Sequence, residues 1–186
     1  MESWMIWAGI GLTVVFLIIL YNRIIGLKQT RNNAFSDIDV QLKLRHDLIP
    51  GLVETVKGYA AHEKELLTQV TDARSNAMKE GSVDGKVSAE NQLGAAMMKL
   101  MAVAEAYPDL KADQNFQQLQ NELSDVENKI AASRRFFNNA TNEYNTAIQQ
   151  FPAVLIARMF NFQEEIFFEL SDAEQEAVET PPSISF

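Results

Sequence analysis

Cysteine is absent from this 186-residue chain, histidine occurs twice, and glycine and proline are scarce at eight and five. Without cysteine there is no disulfide framework, thiolate nucleophile, zinc-thiolate site or iron–sulfur cluster. Positive charge is also short: Lys and Arg total 16 against 25 Asp and Glu, giving a net charge of −9. Phosphate binding needs clustered cations, so nucleic acid is not expected as a partner. His46 and His62 lack a Glu three residues before them, and Leu66 stands where an H-E-x-x-H helix needs its second histidine. Both are expected to be exposed or to cap helices. No serine stands in a G-x-S-x-G elbow, and no glycine-rich loop has the spacing that cradles phosphate. The expectation is therefore a protein with no metal, no cofactor and no catalytic residue, and not an enzyme.

What the chain does have is an uncharged run from Ser3 to Asn22, with Trp4 to Tyr21 almost wholly apolar. As a helix this stretch is roughly 30 Å long, the hydrocarbon thickness of a bilayer. Trp4 and Trp7 mark one end and Tyr21 the other, where amphipathic rings prefer the headgroup layer. Residues 1–22 are read as a retained membrane anchor, because no basic n-region precedes the run and no small-x-small cleavage site follows it. The nearby cations Arg23, Lys28 and Arg31 all lie after the span. The positive-inside rule then puts the N-terminus outside and the remainder in the cytoplasm of a bacterium, on its inner membrane. Gly9 and Gly11 offer a close-approach spot in the span, without the four-residue small-xxx-small spacing.

Residues 23–170 read as helices. From Phe116 the positions Leu119, Leu123, Val126, Ile130, Ser133, Phe137, Ala140, Tyr144, Ala147 and Phe151 follow a three-four spacing. That period predicts one helix of about 55 Å whose stripe faces other helices. An earlier stripe runs Phe35, Ile38, Leu42, Arg45, Ile49, Leu52, Val56, Tyr59, Glu63, Leu66, Val70, Ala73 and Ala77, straight through Pro50. Proline removes a helical hydrogen bond, which predicts a kink or one-turn break there, with Asp47 available as an N-cap. A further helix is expected from about Ser88, carrying Leu93, Met97, Leu100, Ala104 and Tyr107 until Pro108, after a turn at residues 80–85. The expected fold is all-α: a transmembrane helix followed by an antiparallel, coiled-coil-like bundle of about four long helices.

Beyond Pro152, residues 153–168 hold so many large hydrophobes that some must cover the bundle or a partner. Residues 171–186 read as an acidic flexible tail, ending in two apolar side chains, Ile184 and Phe186, suited to docking on a groove.

Polar residues interrupt the stripes. Arg45 and Glu63 occupy seam positions where an unpaired charge is costly to desolvate, so Arg45 is expected to pair with Glu122 or Glu127 on the long helix. Asn138, Asn142 and Asn145 fall on one helix face, where amides can cross-link helices or bind a backbone. The sequon Asn139-Ala140-Thr141 lies mid-helix and is discounted.

The segments Ile38–Lys43, Asp47–Pro50, Leu52–Ala60, Ala104–Lys111, Asn115–Gln120, and Tyr144-Asn145 with Phe151-Pro152 resemble the LemA family of bacterial membrane proteins. The closing Pro182-Ser183-Ile184-Ser185-Phe186 is similar to the ending common there. Phe35, Leu44 and Gly51 depart from the family's usual Trp, basic residue and Asn. The resemblance implies a short extracytoplasmic N-terminus, one membrane helix and an antiparallel bundle, and it implies no reaction.

The expected function is that of a membrane-anchored scaffold or adaptor, with the lipid bilayer, protein partners and further copies of itself as partners. The competing class is a ligand- or metal-binding sensor or enzyme with a polar site among Arg45, His46, Glu63 and the asparagines.

Overall fold

Three-four apolar spacing does produce long helices, and the computed structural model, which describes residues 3–168, holds six helices, long and short, and no strand among the described residues. They are α1 (Ser3–Tyr59), α2 (Lys64–Ala77), α3 (Val83–Glu105), α4 (Pro108–Lys111), α5 (Gln114–Gln149) and α6 (Ala153–Met159). The all-α expectation holds. Ile184, Phe186 and the acidic tail lie outside the described residues.

The chain divides into two units. Unit 1 takes residues 3–39 and 131–167, and unit 2 takes residues 40–130 and 168. In unit 2 the α1 stripe buries Ile49, Leu52 and Val56 against Val70 of α2, Leu93 and Leu100 of α3, Leu110 of α4 and Phe116 of α5. Each fully buried aliphatic side chain contributes about 1.5–3 kcal/mol of transfer free energy. In unit 1, Ile24 of α1 packs with Tyr144 and Ile148 of α5 and with Ile156 and Ala157 of α6. Within each unit α1 and α5 run antiparallel: Phe35 stacks on Phe137 in unit 1, and Arg45 meets Glu127 in unit 2.

Four boundaries differ from expectation. Pro50 sits inside an α1 that runs without interruption, so the one-turn break and the cap at Asp47 do not form there. The break comes later, at residues 60–63, where Glu63 N–H returns to the Ala60 carbonyl at 3.1 Å. α3 starts at Val83 rather than near Ser88, because Ser82 caps it: its hydroxyl accepts from Gly85 N–H at 3.1 Å. α5 stops at Gln149, which leaves Phe151 outside the helix and exposed. Its start is set by Asp113, whose Oδ1 accepts from Phe116 N–H at 2.9 Å.

Candidate functional site

Unit 2 places its polar seam residues at one level of the bundle. Arg45 and His46 come from α1, Arg74 from α2, Glu90 from α3 and Glu127 from α5. Arg45 is buried and faces the Glu90 carboxylate, while its Nη1 donates to Glu127 Oε1 at 3.0 Å. The expected pairing with the long helix is thus made by Glu127. Glu90, whose side chain is 1% exposed, also holds His46: its Oε1 lies 2.8 Å from His46 Nε2. A charge this deep is tolerable only when paired and hydrogen-bonded. Burial, with the Arg45 and Arg74 guanidiniums nearby, pulls the His46 imidazole down to about 4. The ring is neutral at pH 7, so Nε2 carries its proton toward the acceptor-only Glu90 carboxylate.

Arg74 explains the unbroken helix at Pro50. A proline at position 50 has no N–H for the carbonyl of His46, four residues back. Arg74 Nε donates to that carbonyl at 2.6 Å. A side chain from α2 thereby replaces the missing backbone donor, and the same contact ties α2 to the level where Glu90 and Glu127 meet α1.

A different polar device operates in unit 1. Its residues 162–167 form no regular element. α6 hands over to them through Asn161, whose φ of 55 is a left-handed cap conformation. Phe162 N–H then reaches the Ala157 carbonyl at 2.9 Å, closing the helix end. The backbone beyond is held by side chains: Asn145 Nδ2 donates to Glu165 O at 2.8 Å and Asn145 Oδ1 accepts from Glu165 N–H at 2.9 Å. Tyr144 hydroxyl donates to Gln163 O at 3.1 Å, and Arg31 Nη2 to Ile166 O at 3.1 Å. Arg31 is buried, donates through Nε to Thr141 Oγ1 at 3.2 Å and lies over the Phe137 ring. Lys28 and Arg31 both pair with the Glu165 carboxylate at 3.3 Å. Burial, then the Glu165 charge, raises the Tyr144 phenol above its ordinary range.

The residues singled out from sequence thus separate. Arg45 joins the unit 2 cluster, but Glu63 does not: it precedes α2 at the break, half-buried, with no side-chain cap. His62 is exposed as expected, whereas His46 is buried, contrary to expectation. The asparagines do not act as one strip. Asn145 is buried and grips backbone, Asn138 is half-buried and Asn142 is exposed. Trp4, Trp7 and Arg23 are exposed, and Tyr21 stacks against Phe160 and Phe162 at centroid distances of 4.8 and 5.9 Å. Among the described residues no three His, Asp or Glu side chains converge as a metal site.

Glu90, Arg74 and Arg31 carry much of this geometry, yet none was singled out as a seam residue. The signal for two of them was present. Glu90 lies three residues before Leu93 on the α3 stripe, and Arg31 lies four before Phe35 on the α1 stripe.

The LemA family model matches residues 34–186, most of the chain. The chain belongs to the LemA family. Relatives of this LemA chain include the magnetosome protein MamQ of Magnetospirillum gryphiswaldense, 24% identical over 90% of this chain and 71% of that one. Magnetosome protein MamQ 2 of Paramagnetospirillum magneticum has the same identity and coverage. Protein LemA of Metamycoplasma hominis is 29% identical over 80% of this chain and 68% of its own length.

Proposed function

We propose that this LemA chain is a non-enzymatic scaffold held in a bacterial cytoplasmic membrane by the start of α1, its bundle offering helical faces to protein partners. The observation that carries the reading is the exposure of the apolar run: from Trp4 to Ile19 the large hydrophobic side chains of α1 are exposed, and this helix is long and apolar enough to cross a bilayer. Burying that surface in lipid removes a cost that water would impose at roughly 25 cal/mol per Å². The polar side chains in the bundle point the same way, since Arg45, His46 and Glu90 are spent on one another and too enclosed for a substrate to reach. With the cations of residues 23–31 following the span, the bundle lies on the cytoplasmic side.

A groove of about 260 Å³ in unit 2 suits a partner. Leu44, Leu48 and Val126 give it an apolar floor, and Asp47, Glu122 and Asp125 an acidic edge that Lys129 only partly offsets. An amphipathic helix with basic residues matches that chemistry. A photo-reactive residue placed at Leu44 in the full-length chain, in its native membrane, is expected to yield a discrete protein adduct that salt-washed membranes retain. Release of the chain by salt, or a saturable metal- or ligand-induced thermal shift abolished by Arg45→Met, replaces this reading with the sensor alternative.

A further inference from the structure

The last apolar segment of unit 1 shares a groove with the spanning part of α1. The groove measures about 320 Å³, and its walls include Val14, Leu17, Ile18 and Tyr21 of α1 with Met159 and Phe160 at the end of α6. Val14 is seven residues before Tyr21, about 10 Å along a helix axis. If Tyr21 marks the headgroup level, the α6 side of this groove stands beside helix positions reaching up to that depth into the acyl chains. α6 is fixed in place from behind, because Ile156 and Ala157 are buried in the unit 1 core. On and beside α6 several large apolar side chains are exposed: Phe151 is 81% exposed, Leu155 59%, Met159 69% and Phe160 54%. Arg158 is exposed among them and is long enough to carry its guanidinium back to the headgroups while its stem stays apolar.

We propose that residues 151–160 are a second membrane element: α6 lies in the bilayer interface beside the span, with acyl chains filling the groove and covering Phe151, Leu155 and Met159. Helices that lie in the interface bury their apolar face about 5–10 Å into the headgroup and acyl boundary, which agrees with the stretch of α1 that α6 accompanies. The Phe160 and Phe162 rings around Tyr21 then form an aromatic collar at the same level. The consequence is mechanical: unit 1 is held to the bilayer at two points, so the span cannot turn about its own axis without withdrawing α6.

The inference rests on the anchoring reading, and the lack of native cysteine permits a test that separates the two. Single-cysteine forms of the full chain, Ile10→Cys, Leu155→Cys, Met159→Cys and Gln120→Cys, are labelled with an environment-sensitive fluorophore. They are reconstituted in phosphatidylcholine and phosphatidylglycerol vesicles. The labels at 10, 155 and 159 are expected to shift to the blue and to be quenched when the lipid carries brominated chains, and the label at 120 to stay water-like. Quenching at 10 without quenching at 155 and 159 overturns the α6 proposal and leaves the anchor intact. Loss of quenching at 10 overturns the anchor itself. A blue shift at 155 and 159 that ignores brominated lipid and grows with protein density assigns the face to a second copy and also overturns the proposal.

Discussion

Unit 2 uses buried charge to hold helix against helix, whereas unit 1 uses an amide, a phenol and a guanidinium to hold irregular backbone against helix. In unit 2, Arg45, Glu90 and Glu127 connect three helices through side chains alone, with His46 and Arg74 completing the level. In unit 1, Asn145 satisfies both the N–H and the C=O of Glu165, so the peptide there needs no partner strand or helix. The difference follows from what each set of groups lacks. Packed helices already satisfy their own backbone, so polar seam residues can only specify register. An irregular segment carries unpaired backbone groups, and each left buried without a partner costs about 1–3 kcal/mol.

The comparison breaks most severely at Glu90. Replacing one member of a buried ionic set leaves the others uncompensated, so Glu90→Gln is expected to lower unfolding stability by roughly 3–5 kcal/mol. The measurement is urea unfolding of the full chain in detergent. The pair is also expected to be dispensable as a pair. Arg45→Met combined with Glu90→Leu should recover most of the loss, since apolar replacements of similar volume avoid the desolvation cost. The network's own incompleteness supports this, because Arg45 Nε and the nearby Gln41 Oε1 are buried without hydrogen-bond partners. If the double variant remains as unstable as Glu90→Gln, the network contributes net stability and not merely alignment.

The next effect isolates the repair at Pro50. Arg74→Ala strands the His46 carbonyl and is expected to cost about 1–3 kcal/mol. In a Pro50→Ala background the backbone N–H of residue 50 supplies that carbonyl itself, so the same Arg74→Ala change should cost clearly less. Equal costs in the two backgrounds, read from the four unfolding curves of the cycle, would show that Arg74 acts through packing alone.

This repair also marks the limit of what the sequence discloses. The apolar stripes on α1, α3 and α5 were legible because period and burial are local consequences of one another: Ile38, Leu42, Ile49, Leu52 and Val56 are all buried as spaced. The Arg45–Glu127 pair was legible because a charge on a seam demands an opposite charge opposite it. Continuity through Pro50 was not, since proline's cost is local but its remedy comes from a residue 28 positions after His46. Glu90 already falls inside a helix begun near Ser88, but a carboxylate in a first helical turn is stable in water beside the helix N-terminus, so position alone does not disclose its burial. Of the three asparagines, helical geometry put them on one face, but which of them meets another segment depends on where residues 162–168 return, and no period encodes that.

Asn145 yields the most local effect. Its amide makes two hydrogen bonds to one peptide unit, each worth about 0.5–1.5 kcal/mol net, so Asn145→Ala is expected to cost about 1–3 kcal/mol at that site. The cost should remain near the segment. Residues 162–168 add no turn to a helix, and their remaining ties, from Tyr144 and Arg31, are single hydrogen bonds supplemented by the Glu165 ion pairs. Local opening then precedes global unfolding, and it shows as faster hydrogen exchange at the Glu165 amide with unit 2 protection unchanged. Asn142→Ala, at an exposed position on the same helix, serves as the control and should alter neither. Equal acceleration of exchange in unit 2 would mean that the clasp is not a local device at all: the two polar strategies would then belong to one cooperative structure, and the contrast between them would describe chemistry but not energetics.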